Sequence, residues 1–297
     1  MSSLKHYSKF FIGILIGCLI LLSGCASRIP TGKYELLKTS SESLYLKILD
    51  TYSRIEELQR RFAITTAPDS KITRNTFKPQ IDGESYDLTP ELRFREAALQ
   101  VLVDYAAVLQ AFSSKDYMTE VDKATQRLAG SLNNLSNTSN LLEAADGSKI
   151  SGILATLVNK IAKQLIKQKK EKALKQVMDM AQSDIEQLSQ LIAESNIKIK
   201  IAVGIMLNRI IAHANTARPE FGTAERYEFD EQIANIITDV EEIESSLQRM
   251  NVAISKFPQA HKEIRNELDK KQTTFKSLQI LIQEAKQAKK FYKHLNN

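Results

Sequence analysis

Apolar residues recur every three to four positions along most of this 297-residue chain, which is the period of a helix with one buried face. The first such stretch carries Leu37, Leu44, Ile48, Ile55, Leu58 and Phe62. Six further stretches follow the same period, and one of them continues through Ile197, Ile201, Ile205 and Ile211. The sequence therefore predicts helices over about 34–62, 90–112, 116–145, 150–167, 170–217, 224–256 and 259–295.

Proline, glycine and short polar residues mark the breaks between these helices. Thr89-Pro90-Glu91 is typical of a helix start, with a cap hydroxyl, an early proline and an acid near the positive end of the dipole. Phe257-Pro258 is the predicted boundary between the last two helices. Residues 63–89 form a long irregular segment, either a functional loop or a flexible crossover. We favour the crossover.

The predicted fold class is all-α, an elongated antiparallel helical bundle of coiled-coil type with several long helices. Short turns at alternate ends would join the helices into one domain over residues 34–297. The chain has only 10 glycines and no tryptophan, which argues against barrels, sandwiches and nucleotide-binding α/β folds. Its net charge of +6 is compatible with anionic headgroups but does not demand nucleic acid, so we expect no nucleic-acid partner.

The first 24 residues differ from everything that follows and have the organisation of a signal peptide. Lys5, His6 and Lys9 form a short basic region, and an unbroken apolar run follows over residues 10–22. Such a run suits the apolar core of a signal peptide and is shorter than the roughly 20 residues that a spanning helix needs.

Leu22-Ser23-Gly24-Cys25 resembles the lipobox of bacterial lipoproteins, in which an aliphatic residue and two small residues precede a cysteine. The resemblance implies that Leu22, Ser23 and Gly24 form the recognition site for cleavage before Cys25. It also implies lipidation of the Cys25 thiol, and palmitate on the new amino terminus in many cases. The mature chain would then anchor stably in a membrane, because two or three acyl chains suffice for that.

Three alternatives to this assignment remain open from the sequence. Leu15-Ile16-Gly17-Cys18 also fits the pattern, but cleavage there would leave an apolar stub at the mature terminus. Cleavage without lipidation would leave Cys25 as a free thiol, and an uncleaved segment would act as an anchor helix. With Cys25 lipidated and Cys18 removed, the mature chain would have no free thiol, so helix packing alone must stabilise it.

The resemblance also bears on localisation. Ala26 occupies the position after the lipidated cysteine, where an aspartate retains many Gram-negative lipoproteins at the inner membrane. Its absence favours the outer membrane, with the protein facing the periplasm. Residues 25–33 would form a short tether between the anchor and the first helix.

No residue pattern in the chain indicates catalysis. The sequence lacks the spacings of zinc proteases, serine hydrolases, phosphate-binding loops and di-iron bundles. We therefore expect no enzymatic activity, no metal site and no cofactor.

Two stretches carry concentrated charge. One is rich in lysine, and its apolar stripe from Ile150 to Leu165 matches an interfacial membrane helix as well as an ordinary bundle helix. Lys160, Lys163 and Lys167, together with Lys289 and Lys290 near the C-terminus, are therefore candidate lipid contacts. The other stretch, from Glu225 to Leu247, carries eight acids and one arginine. These acids either pair with neighbouring helices or offer a docking surface.

The sequence favours a membrane-anchored lipoprotein that acts without catalysis, as a scaffold or interaction module in the cell envelope with an unidentified protein partner. Two alternatives remain. One is a membrane-perturbing, toxin-like helical protein. The other is a periplasmic ligand-binding or sensor bundle, which would need a pocket with convergent polar groups between its helices.

Overall fold

The computed structural model describes residues 31–66, 80–81, 84–139 and 170–295, and these residues have an all-α fold, as predicted. The six α-helices of this part are α1 (Thr31–Thr66), α2 (Thr89–Ala111), α3 (Tyr117–Ser139), α4 (Lys170–Ala217), α5 (Thr223–Leu268) and α6 (Lys276–Leu295). The strands β1 (Gln80–Ile81) and β2 (Glu84–Ser85) form a small antiparallel pair. The predicted signal peptide and the predicted helix at 150–167 lie outside the described residues.

The helices form an elongated bundle around the long hairpin of α4 and α5, which are 48 and 46 residues long. Helix α1 runs parallel to α4, because Tyr34 contacts Met178 and Tyr52 contacts Asn196. Helices α2 and α5 run in the opposite direction. The beginnings of α1, α4 and α6 therefore lie at one end of the bundle, which we call the proximal end.

One hydrophobic core cluster joins all six helices. Helix α2 is the most enclosed: buried residues occupy every face of its middle turns, from Ala97 to Leu109, as its alanine- and valine-rich sequence suggests. Helix α4 buries a stripe that includes Ile192, Ile199, Val203 and Ile210. A single stripe of this kind is enough to hold a long helix in a bundle.

The predicted helix boundary at Phe257-Pro258 is wrong. Helix α5 continues through Pro258 to Leu268, and the turn lies at 269–275, where Lys270 and Phe275 adopt positive φ values of 55° and 51°. A proline inside a helix costs about 3 kcal/mol. Burial of the nearby Phe257 and Ile264 in the core, together with the small Ala260, offsets this cost, since burial of a large apolar side chain such as Phe or Ile contributes about 1.5–3 kcal/mol.

Two further details differ from the sequence-based prediction. Thr89 does not cap α2: it is the first residue of that helix, and the Asp87 carboxylate accepts a hydrogen bond from its backbone N–H at 2.9 Å. Ile197, Ile201 and Ile205 continue the apolar period of α4, but they lie on its exposed side. The buried side at this level carries Asn196, Ile199 and Val203.

A buried polar chain connects α2, α4 and α5 in the core. The Tyr105 hydroxyl lies 2.8 Å from Nε2 of His261, and Nδ1 of His261 lies 2.7 Å from Oε1 of Gln182. His261 is fully buried, and burial lowers the pKa of its imidazole to about 3. The ring is therefore neutral in the folded protein at physiological pH.

This histidine should make the stability of the fold depend on pH. The unfolded chain takes up a proton on His261 near pH 6.5, whereas the folded chain does so only near pH 3. Stability from His261 is thus complete above about pH 6.5 and is lost as the pH falls toward 3. Between about pH 7.5 and 4.5 we expect a loss on the order of 2–3 kcal/mol in the free energy of unfolding.

Urea unfolding of the native chain and a His261→Gln variant at both pH values measures this contribution. Glutamine does not titrate, so the stability difference between the two proteins should narrow as the pH falls. His213→Gln, at an exposed position of α4, should leave the pH dependence unchanged. If the stability difference between the native and His261→Gln proteins is the same at both pH values, His261 is not the source of the pH dependence.

Candidate functional site

Most residues that the sequence singled out lie outside the described part of the chain. Leu22, Ser23, Gly24 and Cys25 precede it, and Lys160, Lys163 and Lys167 fall in the gap between α3 and α4. Lys289 and Lys290 lie in the last turns of α6, but their side chains are not among the described ones. Lipid contact by these lysines stays a prediction.

The end of the lysine-rich stretch belongs to the bundle. Lys170 donates to the Ser114 carbonyl at 2.9 Å and lies 5.0 Å from the centre of the Tyr117 ring. Lys175 pairs with Glu171 and Asp269 at 3.1 and 3.2 Å. These two lysines therefore hold helix ends together at the proximal end.

Arg265 extends this proximal cluster. Its guanidinium binds both carboxylate oxygens of Asp179 at 2.7 and 2.8 Å and also contacts Asp269 at 2.8 Å. Hydrogen bonds from Arg265 and Lys175 lower the pKa of Asp269 below its usual range. A two-point contact of this kind fixes the orientation of both groups.

The acidic stretch of α5 divides into two parts. Toward its C-terminal end, Asp239 and Glu242 bind Arg54 of α1 at 2.8 and 2.6 Å, and Glu244 lies 3.7 Å from Lys200 of α4. These acids pair with neighbouring helices, so they are not a free docking face. Pairs this exposed contribute little to stability.

The other part of the acidic stretch belongs to the turn between α4 and α5. Helix α1 ends at Thr66, so α4 and α5 continue beyond it as a pair over residues 211–233, which we call the hairpin tip. Arg218 binds both oxygens of Asp230 at 2.7 and 2.6 Å. The rings of Phe221 and Phe229 lie 4.7 Å apart. These contacts hold the turn between α4 and α5 against the first turns of α5.

The hairpin tip presents an aromatic residue among acids. Tyr227 is 72% exposed, and Glu228 and Glu231 beside it are exposed and form no ion pair with the described residues. Tyrosine is enriched among residues that dominate protein interfaces. The tip therefore combines an exposed aromatic ring with exposed carboxylates.

A groove lies between α1, α5 and α6. Its volume is about 410 Å³, and buried Leu44, Ile48 and Met250 form its floor. Small polar residues of α5, Thr238, Ser245 and Ser246, stand where larger apolar side chains would close the space. The sequence gives no signal for the groove, because the buried stripe of α5 continues unbroken past it through Val240, Ile243 and Leu247.

Charged groups surround the mouth of this groove. Glu241, Glu242 and Glu284 supply three carboxylates, and Lys47 and Arg249 supply two cations. One carboxylate oxygen of Glu284 is buried and accepts no hydrogen bond from the described residues. An apolar floor with a few polar groups at the rim is the usual design of a small-molecule site, so the groove can hold an apolar body with a polar end.

The described residues include neither a metal-binding cluster nor a membrane-spanning helix. Among them, no cluster of three or more His, Cys, Asp or Glu side chains is arranged to hold a metal ion. None of their helices combines the length and apolar character needed to cross a membrane.

Known proteins do not identify the chain further. No protein-family model, no curated protein and no solved structure matches it. The protein is thus defined by its own structure, as an all-α, elongated helical bundle.

If the groove binds apolar molecules, filling it should abolish that binding. The neutral fluorescent probe N-phenyl-1-naphthylamine should bind the native chain saturably. Ser245→Trp places an indole at the mouth and should weaken binding at least about tenfold. Ser255→Trp, at an exposed position of the same helix that does not line the groove, is the matched control. Equal binding by both variants would show that the probe binds elsewhere.

Proposed function

We propose that this protein is a bacterial lipoprotein, anchored through lipid on Cys25, that acts without catalysis as a scaffold or interaction module of the cell envelope. The observation that supports this most strongly is the polarity of the bundle. Helix α1 begins at Thr31, six residues after Cys25, and its first turn lies at the proximal end. The hairpin tip lies at the opposite end.

The register of α1 against α4 determines how far the tip would stand from the anchor. Both contacts between these helices join residues 144 positions apart, so Thr31 lies level with about residue 175 of α4. From that level to Ala217 the helix rises about 60 Å. Six residues of tether span at most about 20 Å, which would hold the proximal end near the bilayer.

These dimensions suit a protein that presents a contact surface away from its own membrane. The hairpin tip combines exposed Tyr227 with acids, and an envelope protein with a basic surface is the partner class that it favours. The outer membrane, with the bundle facing the periplasm, is the location that Ala26 favours. The lysines at 289 and 290 remain candidate lipid contacts.

The anchor itself is tested by substitution of each cysteine. We expect Cys25→Ser to abolish incorporation of radioactive palmitate, because the acylated residue and the cleavage site are both lost. Cys18→Ser is the matched control and should be labelled as strongly as the native chain. Labelling that survives in Cys25→Ser and disappears in Cys18→Ser would place the anchor at Cys18 instead.

The contact role is tested by photo-crosslinking in living cells. A benzoyl-phenylalanine at position 227, in the hairpin tip, should yield one reproducible protein adduct that mass spectrometry identifies. The control carries the same group at position 118, which is also exposed (47%) but lies at the start of α3, at the proximal end. Absence of a protein adduct at 227, or the same adduct at both positions, would contradict a role for the tip.

The groove between α1, α5 and α6 supports a second candidate function, a periplasmic ligand-binding or sensor bundle. The specific observation is the apolar floor of Leu44, Ile48 and Met250 beneath a charged rim. The ligand class that fits is a small molecule with an apolar body and a polar end. Binding there is compatible with anchoring and with contacts at the tip.

A further inference from the structure

The groove between α1, α5 and α6 contains a carboxylate that the described part of the chain leaves without a donor. Oε2 of Glu284 is buried and accepts no hydrogen bond, and the side chain forms no ion pair with the described residues. The residues one turn away on α6 are Ile280, Leu281, Gln287 and Ala288, so its own helix supplies no cation at the spacing that pairs charges. A carboxylate oxygen that is shielded from water and lacks a donor is unfavourable. Glu284 therefore requires a donor from outside α6.

Two other charged groups at the mouth of the groove are paired within the chain. Lys47 of α1 binds Asp50 at 2.9 Å, and Glu242 of α5 binds Arg54 at 2.6 Å. Each pair joins opposite charges on neighbouring side chains. A ligand in the groove would therefore meet little uncompensated charge at these two positions.

Arg249 and Glu241 are the remaining charged groups at the mouth, and both are exposed. The Arg249 guanidinium also donates a hydrogen bond to the side-chain oxygen of Gln287. Because water reaches both groups, neither depends on a ligand for a partner. Glu284 differs from them, since its buried oxygen has neither water nor a described protein donor.

Small hydroxyl groups of α5 that line the groove are satisfied within the chain. Thr238 donates to the Ala234 carbonyl at 3.1 Å, and the hydroxyl oxygens of Ser246 and Thr51 lie 2.6 Å apart. Among the described lining residues, Glu284 alone has a buried polar atom without a partner. The groove therefore combines one unmet requirement for a donor with an apolar floor.

We propose that the groove binds an amphiphile with an ammonium end, which donates a hydrogen bond to Oε2 of Glu284, and an unbranched apolar chain, which lies on Leu44, Ile48 and Met250. An ammonium group supplies both a positive charge and N–H donors. A hydrogen bond between ionised groups is roughly twice as strong as one between neutral groups. This inference rests on the second candidate function, ligand binding in the groove, and specifies the charge of the ligand's polar end.

The dimensions of the groove suit an unbranched chain. Its volume of about 410 Å³ falls within the range of about 300–1,000 Å³ that is usual for small-molecule sites. The residues of α5 that line it extend from Thr238 to Met250, which is about 18 Å along the helix. A space that is long for its volume accommodates a chain better than a compact ring system.

The position of the groove is compatible with the other proposals. Helix α6 lies at one edge of the bundle, where it packs against α1 and α5, whereas α3 lies at the other edge and packs against α2. The groove is on the α6 side and apart from the hairpin tip. Ligand binding there requires no change in the proposed anchor or in the proposed contacts at the tip.

Photolabelling of the full chain in detergent measures this binding. Three probes share one decyl chain that carries a diazirine, and they end in a primary amine, an alcohol or a carboxylate. The amine probe should label the peptides that contain the groove floor, and Glu284→Gln should raise its half-saturating concentration at least about tenfold. Glu56→Gln, at an exposed position of α1 that does not line the groove, is the matched control and should change this concentration less than about twofold.

The other two probes separate this inference from the candidate function on which it rests. The alcohol probe should bind native and Glu284→Gln chains equally, to within about twofold, which also shows that the variant keeps its fold. Amine binding that Glu284→Gln leaves unchanged, or a preference of the native groove for the carboxylate probe, would overturn the ammonium assignment and keep ligand binding. No labelling of the groove by any probe would overturn both.

Charge reversal at the same position gives an independent test. Glu284→Lys should weaken binding of the amine probe at least about tenfold and strengthen binding of the carboxylate probe, because the sign of the charge that meets the ligand is inverted. Each comparison is between variants with one probe, so unequal uptake of the probes by detergent cancels. If Glu284→Lys binds the amine probe as tightly as the native chain does, Glu284 does not contact the ligand and the proposal is wrong.

Discussion

The structure depends on the burial of one long face of the α4–α5 hairpin, and that face is covered along only part of its length. Up to about residue 210 of α4, α1, α2 and α6 pack against the hairpin and share the hydrophobic core with it. Helix α1 then ends at Thr66, and beyond that level the two hairpin helices pack against each other without a third helix among the described residues. Their sequence changes accordingly, since Ala214 is the one buried residue between 211 and 233.

The polar residues in the core set the register of this packing. Asn196 is fully buried; it accepts a hydrogen bond from Tyr52 of α1 at 3.4 Å and donates one to Asn251 of α5 at 2.8 Å. An apolar stripe can slide by a turn with little loss of buried area, whereas a buried polar group left without its partner costs about 1–3 kcal/mol. The Tyr105–His261–Gln182 chain acts in the same way closer to the proximal end. Asn196 aligns α1 with α4, and the Tyr105–His261–Gln182 chain aligns α2 and α5 with α4.

This alignment connects the two functional proposals. Because α1 and α4 run parallel and in register, the proximal end, which carries the proposed anchor, and the hairpin tip lie at opposite ends of the described bundle, and the groove lies between them. The candidate contact surfaces are thus spread along the bundle, with the tip at one end and the groove along its side. Under the proposed function, such a distribution would allow the bundle to contact more than one partner at the same time.

The amino-acid sequence alone determined the class of fold and the existence of most helices. Apolar residues at spacings of three and four come together on one face only if the segment is helical. The spacing therefore predicted the helices α1, α2, α4 and the start of α5. The likeness of Leu22-Ser23-Gly24-Cys25 to a lipobox is likewise a linear pattern that can be seen without a folded context. The sequence could not determine where α5 ends: Pro258 is a local helix breaker, and only the packing of Phe257 and Ala260 in the core overrides it.

The tertiary structure also decided which apolar and charged side chains remain exposed to solvent. Ile197, Ile201 and Ile205 share the helical period of the buried residues, and the difference lies in which side of α4 the neighbouring helices occupy. In the same way, Asp239 and Glu242 belong to the same acidic stretch as Glu228 and Glu231, but α1 extends far enough to pair with the first two and not with the others. The pattern of residues along the sequence specifies that a helix has an apolar and a polar face. Which of these faces becomes buried is decided by the fold, because burial depends on contacts between residues far apart in the chain.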